Sequence, residues 1–362
     1  MNVDYNNCLV NLSNSILKYF DCETHNNSLE YLDEILKKNN SKNVVLILCD
    51  GMGSIISEAN LNKNDFLIKN RINTISSVYP PTTTAATTSL DSGLYPCEHG
   101  WLGWDLYVKP IDKIVTMFLN TLKDSNKQAK DYSVTDKYFK YKSIIESINE
   151  KHKAYSFATF KHALPNPFQF ILDKALELCN KDEKKYIYLY NDQPDALCHE
   201  LGYEDERVVN LYRRINDQIR NFCNSVVDTT VIVVADHGHI TCEPITLSEY
   251  KDIFSTLKMD TSIEGRTCNF FIKENKKEEF VKLFNKYFKE DFILLTKEEI
   301  LEKNIFGYGT YHPLFKDSLG DFLAIATSNK YFRYNENSVL LKSMHAGPLD
   351  IETKVPLIVY KG

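Results

Sequence analysis

Residues 43–50, NVVLILCD, decide the fold of this chain: seven residues without a charge end in a carboxylate. Lys185–Asn191 (KYIYLYN) and residues 230–236 (TVIVVAD) are similar runs, and the second also ends in a carboxylate. Uncharged, largely apolar runs of this length that alternate with helical patterns are typical of parallel strands covered by helices on both faces. We therefore predict an α/β fold with a mostly parallel central sheet.

Weaker signals complete this outline. Further strands are predicted at residues 153–160, 322–328 and 355–360, and helices at residues 29–38, 142–151, 167–179 and 205–226. In the last helix the apolar residues recur at helical spacing, which predicts a face packed against the core.

Residues 243–309 differ in character from the rest. They contain a predicted strand at 267–273, an amphipathic helix at 276–289 and a second strand at Phe292–Thr296. We predict that residues 1–242 and 310–362 form the core and that 243–309 form a small α/β insertion. The insertion either caps an active site or is a surface elaboration.

Composition limits the possible partners and location. The chain has 362 residues and a net charge of −6, so no bulk positive field attracts duplex nucleic acid or an anionic membrane. Its nine cysteines include no CxxC pair, and the odd number argues against a complete disulfide framework. With no signal peptide and no membrane-spanning stretch in view, a cytoplasmic location is expected. The oligomeric state is not indicated.

Two aspartates stand where a parallel sheet places its chemistry. Asp50 and Asp236 each end an apolar strand, and ligands of open α/β sheets bind beyond the carboxyl ends of strands. A single strand-end aspartate is more often a helix N-cap. That interpretation weakens for Asp236, because His237 and Gly238 follow it directly.

Three further residues complete a candidate metal site. Asp195 and His199 are four residues apart, so one helical turn would present both on one face. His345 lies in a loop-like MHAGP segment before the last strand. Three aspartates and three histidines suffice for two divalent metals, whereas Cys49 and Cys198 are expected to pack as small apolar groups.

A threonine-rich segment supplies a candidate nucleophile. Residues 82–89 (TTTAATTS) follow Pro80-Pro81 and predict a helix whose N-terminus faces an anion. A threonine hydroxyl on a metal loses its proton more easily and can attack phosphorus. The alternative is simple capping by threonine. The segment DGMGS matches neither nucleotide-loop motif, and its glycines predict a sharp turn after Asp50.

The chain resembles the alkaline phosphatase superfamily, and within it the type I phosphodiesterase/nucleotide pyrophosphatase family in its bacterial form. The segments that carry the resemblance are LILCDGMG, YPPTTTAATTSLDSGLYPCEHGWLGW, YNDQPDALCHELG, VVADHGHI and MHAGPLDIETKVPLIVY. They extend from about residue 43 to residue 361 in the family's order. This set is specific for the superfamily and its metal site and much less so for the substrate.

The resemblance implies a role for each candidate residue. One metal would be held by Asp195, His199 and His345. The other would be held by Asp50, Asp236, His237 and the nucleophilic threonine. Alignment on the downstream SGLYP places that nucleophile at Thr83, with Thr82 and Thr84 as alternatives. The resemblance implies two divalent ions. The family usually uses zinc, and manganese is the alternative.

The implied function is a two-metal phosphohydrolase that cleaves phosphodiester or nucleotide pyrophosphate bonds of a small phosphorylated substrate through a covalent threonine intermediate. Trp104 stands where relatives that cleave nucleotides place an asparagine, which weakens the nucleotide expectation. No Lys or Arg occurs from Pro80 to Asp105, which favours a singly charged diester over a doubly charged monoester. A phosphomutase, a phosphomonoesterase, a phosphonate hydrolase and a non-catalytic binding protein are the alternatives.

Overall fold

The computed structural model describes residues 3–362. It consists of α-helices and β-strands, with four short 3₁₀ turns between them along the described chain. The α-helices are α1 (Leu9–Tyr19), α2 (Glu30–Asn39), α3 (Ser54–Asn60), α4 (Phe66–Lys69), α5 (Thr83–Ser92), α6 (Pro96–His99), α7 (Val134–Tyr138), α8 (Ile144–Asn149), α9 (Pro167–Cys179), α10 (Asp195–Leu201), α11 (Glu206–Ser225), α12 (Lys251–Phe254), α13 (Lys277–Phe288), α14 (Lys297–Glu302), α15 (Phe315–Ser318) and α16 (Asp350–Thr353).

The strands form two large sheets and two small ribbons. They are β1 (Asn43–Cys49), β2 (Arg71–Ser76), β3 (Asp105–Val108), β4 (Lys113–Thr116), β5 (Thr121–Leu122), β6 (Lys153–Ala158), β7 (Lys185–Asn191), β8 (Thr229–Val234), β9 (Ile240–Thr241), β10 (Glu243–Thr246), β11 (Ser262–Ile263), β12 (Thr267–Phe270), β13 (Phe292–Thr296), β14 (Phe322–Ala326), β15 (Lys330–Arg333), β16 (Ser343–Met344) and β17 (Lys354–Lys361).

The central sheet has six strands in the order β2-β17-β8-β1-β7-β6. β1 pairs in parallel with β7 and β8, and β6 pairs in parallel with β7. Only β17 runs antiparallel to its neighbours β8 and β2. The mostly parallel α/β sheet predicted from the sequence is confirmed. Every residue of β1 is buried, because helices cover both faces of the sheet.

The second sheet has seven strands in the order β13-β14-β12-β11-β3-β4-β5, with antiparallel pairing. It combines strands from residues 105–122, 262–270, 292–296 and 322–326. A separate apolar cluster of phenylalanines from α13, β12 and β14 extends as far as Phe332. The sheet boundary therefore does not coincide with residues 243 and 309, and whether this region caps the site stays a prediction.

Two strand placements correct the sequence interpretation. The apolar segment Phe322–Ala326 lies in the second, antiparallel sheet and not in the central one. Lys354–Lys361 lies in the central sheet but runs antiparallel. A short, fully buried apolar run looks the same in either setting, because periodicity records burial and not the pairing partner.

The helix predictions fared better. Pro167–Cys179 is helical as predicted, and α11 buries the predicted stripe from Val208 to Cys223. The N-terminal helix α1, which packs against α5, was not predicted. No helix within residues 3–362 is both long enough and apolar enough to cross a membrane.

Candidate active site

Three adjacent strands of the central sheet deliver the three aspartates to one edge. β8, β1 and β7 lie side by side and run parallel. Asp50 follows β1 directly, Asp236 follows β8, and Asp195 begins α10 just after β7. Because β17 runs antiparallel to β8, its first residue lies at this same edge, and the preceding loop brings His345 there as well. The structure thus brings together all seven residues predicted from the sequence.

Glycines allow the loops after β1 and β8 to touch. A Cβ on Gly53 would lie 2.5 Å from the Cα of Gly238, and a Cβ on Gly238 would lie 2.0 Å from the carbonyl oxygen of Ile351. Gly51 has φ +74°, which turns the chain sharply after Asp50 as predicted. The close approach of these backbones sets the spacing between Asp50 and Asp236.

Thr83 is the first residue of α5 and points at the aspartates. Its Oγ1 lies 3.4 Å from Asp50 Oδ2 and 3.2 Å from His237 Nε2. Thr82, the N-cap residue, turns its hydroxyl away and donates it to Glu264 Oε1 at 2.5 Å. Thr84 Oγ1 is buried without a partner. Of the three threonines, Thr83 is therefore the one whose hydroxyl contacts the Asp/His cluster.

Each predicted histidine is held by a carbonyl oxygen. His199 Nδ1 lies 2.7 Å from the carbonyl of Ser343, His237 Nδ1 lies 3.0 Å from that of Gly238, and His345 Nδ1 lies 3.1 Å from that of Pro81. A carbonyl only accepts, so Nδ1 carries the proton in all three. Each Nε2 then faces the aspartates, which is the arrangement of a metal-ligating histidine. Burial lowers the pKa of His237, but the charges of Asp236 and Asp50 outweigh it and raise that pKa to about 10, so a metal would replace a proton there.

The distances between these side chains are those of a shared site. Asp195 Oδ1 lies 3.4 Å from His199 Nε2 and 3.8 Å from His345 Nε2. His237 Nε2 lies 3.2 Å from Asp50 Oδ1 and 3.5 Å from Asp236 Oδ2. The ligand atoms of Asp50, Asp236 and His237 lie within 4.8 Å of one another, as do those of Asp195, His237 and His345.

The donor set fits divalent cations. Asp236 is fully buried, and its Oδ1 accepts from the backbone N–H groups of Gly51 and His237. Its Oδ2 has no hydrogen-bond partner, although a buried carboxylate oxygen without one is costly. Burial, and then the charge of Asp50, raise the pKa of Asp236 well above its ordinary value. A bound cation would satisfy the orphaned oxygen and the excess negative charge.

Two further residues of the cluster were missed by the sequence analysis. His239 is fully buried, and its Nε2 lies 2.7 Å from Asp195 Oδ1. Tyr190 donates its hydroxyl to Asp50 Oδ2. The sequence offered one positional signal for each residue. His239 lies two residues after His237, and Tyr190 is the penultimate residue of β7. The ligand atoms of Asp195, His199 and His239 form a third group within 4.8 Å.

A buried ion pair supports the loop that carries His345. Arg266 donates to both carboxylate oxygens of Glu352, at 2.7 and 2.8 Å, and to the carbonyls of Ser328 and Lys330. Glu352 Oε1 also accepts from the backbone N–H of Gly347. A Cβ on Gly347 would lie 2.5 Å from Glu352, so this loop rests directly on the pair.

A cleft of about 560 Å³ opens beside the cluster, between the central sheet and the second sheet. Thr83 and His345 line its inner end, and Trp104, with 40% of its surface exposed, lines the outer part. Lys123 and Arg333 also line the cleft, and both have partners within the protein. Lys123 pairs with Asp260 at 2.9 Å, and Arg333 donates to backbone carbonyls.

Cys49 and Cys198 pack as apolar groups, as predicted. Both are fully buried beside the site, and neither belongs to a group of side chains spaced for a metal within residues 3–362. Burial raises the pKa of the Cys49 thiol to about 12. All nine cysteines are free thiols.

The sequence profile of the type I phosphodiesterase/nucleotide pyrophosphatase family matches residues 44–348. This chain belongs to that family. It is an enzyme, a hydrolase of the phosphodiesterase/nucleotide pyrophosphatase type, and its family is metal-dependent. No curated protein matches it in sequence.

Solved structures with similar folds extend the likeness to nearly the whole chain. Murine ectonucleotide pyrophosphatase/phosphodiesterase 5 shares 17% identity over 88% of each chain, with a TM-score of 0.68. A second structure of that murine protein, an inactive form, contains AMP. Phosphonoacetate hydrolase from Sinorhizobium meliloti, in complex with phosphonoacetate, shares 14% identity over 88% of this chain and 89% of that one, with a TM-score of 0.65. These similarities show that this chain has an alkaline-phosphatase-like fold.

Proposed function

We propose that this protein is a two-metal hydrolase that cleaves a phosphodiester or nucleotide pyrophosphate bond of a small substrate, with Thr83 as nucleophile. One observation carries the proposal: the Thr83 hydroxyl lies over an Asp/His cluster in which the buried Asp236 Oδ2 has no hydrogen-bond partner. A nucleophile placed on an unsatisfied acidic cluster makes sense where cations complete the site.

The proposed ligand sets are those that the family resemblance implies; in the structure, the ligand atoms of His345 and His199 lie in two different groups around Asp195. One ion would be held by Asp195, His199 and His345, and the other by Asp50, Asp236, His237 and Thr83. Zinc suits this mixture of imidazole and carboxylate ligands, and manganese is the alternative. When bound, such ions supply positive charge to the phosphoryl oxygens and lower the pKa of a bound hydroxyl or water.

The chain's own groups then orient the substrate and the nucleophile. Thr83 Oγ1 gives up its proton to solvent and attacks phosphorus in line, the bond to the leaving oxygen breaks, that oxygen takes up a proton from solvent, and a phosphothreonine ester forms. Because Thr83 begins α5, backbone N–H groups of its first turn are available to phosphoryl oxygens. Water then attacks the ester from the vacated side and frees the Thr83 hydroxyl. Two inversions give net retention at phosphorus.

The charges around the cleft support a diester over a monoester. A diester carries one negative charge on the transferred group and a monoester nearly two. Arg266 and Lys258 are the residues of the second sheet region that could have met the second charge. Arg266 is buried and bonded to Glu352, and Lys258 lies in a different surface pocket. The only cationic side chains lining the cleft within residues 3–362, Lys123 and Arg333, have protein partners.

A reducing, cytoplasmic location belongs to the same proposal. It is supported by nine thiols that form no disulfide, since disulfides are rare in that compartment.

The test compares matched substrates on one preparation. The protein is stripped with a chelator, reloaded with zinc or manganese, and assayed with bis(4-nitrophenyl) phosphate and 4-nitrophenyl phosphate. We expect two bound ions per chain by elemental analysis and a kcat/KM for the diester about tenfold or more above that for the monoester. A monoester preferred by that factor would overturn the diester assignment. Turnover of neither substrate with either metal would overturn the proposed function.

A further inference from the structure

One polar side chain in the cleft is not used by the chemistry proposed above. Glu264 Oε1 accepts two hydrogen bonds, from the Thr82 hydroxyl at 2.5 Å and from the backbone N–H of Trp104 at 2.9 Å. Glu264 Oε2 has no partner among residues 3–362, and the side chain lines the cleft together with Thr83 and His199. One oxygen is therefore anchored beside the nucleophile's neighbour while the other is left for a ligand.

The backbone holds Glu264 in this position at a cost. The preceding residue, Ile263, has φ +74°, a left-handed conformation that a β-branched side chain rarely adopts. The loop before Trp104 fits against it because Gly103 has no side chain: a Cβ there would lie 2.7 Å from the carbonyl oxygen of Ile263. Strained backbone persists where the surroundings over-determine it, and such residues concentrate at ligand sites.

The charge environment shows which ligand suits the free oxygen. Burial, the largest effect, raises the pKa of Glu264 to about 7; the hydrogen bonds from Thr82 and Trp104 lower it, Asp105 raises it and His199 lowers it. Neither Lys123 nor Arg333 bonds to it. The free carboxyl oxygen of Glu264 can accept from a donor, and its charge repels a second anion.

We propose that Glu264 is a specificity-determining residue that accepts a hydrogen bond from a donor, a hydroxyl or an ammonium group, carried by the substrate's ester substituent. This inference rests on the proposed phosphodiesterase function and narrows it to esters with a donor close to phosphorus. A carboxylate binds an ammonium group more strongly than a hydroxyl, since hydrogen bonds between charged groups are about twice as strong as neutral ones.

The test uses three diesters that release the same 4-nitrophenol and differ only in the second substituent: propyl, 3-hydroxypropyl or 3-aminopropyl. Wild-type enzyme should prefer the aminopropyl ester over the propyl ester by about tenfold or more in kcat/KM, with the hydroxypropyl ester between them. Glu264→Gln retains an acceptor for Thr82 and Trp104 but loses the charge. It should lower the ratio of aminopropyl to propyl turnover to about threefold or less, whatever its effect on the absolute rates.

Glu264→Ala provides the second variant and should abolish the preference for either donor. A residue that only supports Thr82 would lower all three rates together and leave their ratios unchanged, and that result would overturn the inference. Equal wild-type rates on the three esters would overturn it too, while propyl turnover leaves the proposed function standing. If none of the three esters is hydrolysed, the proposed function fails and the inference fails with it.

Discussion

Two buried charged clusters lie near each other in this molecule and are built in opposite ways. In the pair formed by Arg266 and Glu352, both carboxylate oxygens accept from the guanidinium, whose remaining donors reach backbone carbonyls. The Asp/His cluster consists of Asp50, Asp195, Asp236, His199, His237, His239 and His345. In it, three carboxylates face imidazoles and Asp236 Oδ2 has no hydrogen-bond partner. We call the Arg266/Glu352 pair the closed cluster, because its polar atoms are satisfied within the protein, and the Asp/His cluster the open cluster, because it has an unsatisfied oxygen that a ligand could meet.

The difference follows from the number of donors. Arg266 offers five N–H groups in a fixed fork, enough to satisfy a carboxylate and two carbonyls. In the open cluster, His199, His237 and His345 direct Nδ1 to backbone carbonyls and leave only Nε2 facing the carboxylates. The same burial thus produces a structural ion pair in one place and a candidate metal centre in the other.

Replacing the nucleophile should give the largest effect. Thr83→Ala removes the hydroxyl over the open cluster and should lower kcat by about 10⁴-fold or more, with thermal unfolding of the protein little changed. Thr84→Ala is the matched control, because its buried hydroxyl has no partner, and it should remain active. Steady-state kinetics of both variants decide the matter. An inactive Thr84→Ala enzyme beside an active Thr83→Ala enzyme would move the nucleophile by one residue.

Opening the closed cluster should cost the most stability. Arg266→Met leaves Glu352 charged, buried and unpaired, which should lower the free energy of unfolding by about 3–5 kcal/mol in urea titrations. The double variant Arg266→Met/Glu352→Leu removes both charges and should recover much of that loss. A single variant as stable as the wild type would show that the pair does not hold the fold.

A substitution in the open cluster should raise, and not lower, the free energy of unfolding of the metal-free protein. The pKa of Asp236 is raised by burial, so its ionised form is disfavoured in the folded state and lowers stability above the unfolded pKa. Asp236→Asn keeps the acceptor for Gly51 and His237 and places a donor where Oδ2 lacked one. In chelator, it should raise the free energy of unfolding by about 1–3 kcal/mol. It should also abolish binding of the ion proposed to be held by Asp50, Asp236, His237 and Thr83. A metal-free Asp236→Asn protein that is less stable than the metal-free wild type would contradict the comparison.

The smallest effect is expected from the rim of the open cluster. Tyr190 donates its hydroxyl to Asp50, so Tyr190→Phe should weaken metal binding by about tenfold without altering the fold. Competition with a chromogenic chelator measures this affinity. Tyr188→Phe, on the same strand, changes a hydroxyl that has no hydrogen bond to the cluster and should leave the affinity as it is. Equal affinities for all three proteins would remove Tyr190 from the site.

The sequence predicted much of this molecule because its signals are local. An uncharged run that ends in a carboxylate, as in residues 43–50, records a buried strand and a polar edge within eight residues. The spacing of Asp195 and His199 records one helical turn. The segments that resemble the phosphodiesterase family placed Thr83 and His345 with them, and the structure brings these residues together.

Other features depend on contacts between segments distant in sequence. Phe322–Ala326 reads as a strand, but only its pairing with β12 and β13 assigns it to the second sheet. Nothing in the sequence near Arg266 shows that this cation is already paired, because its partner Glu352 lies 86 residues along the chain.

The sequence by itself thus determined the α/β class, the family and the side chains of the candidate site. Local periodicity and strand-end chemistry do not depend on what packs nearby. Only the tertiary structure decided which charges are satisfied. It paired Arg266, left Asp236 Oδ2 open and turned Glu264 into the cleft. Hydrogen-bond satisfaction is a property of neighbours in space, and the sequence does not specify them one residue at a time.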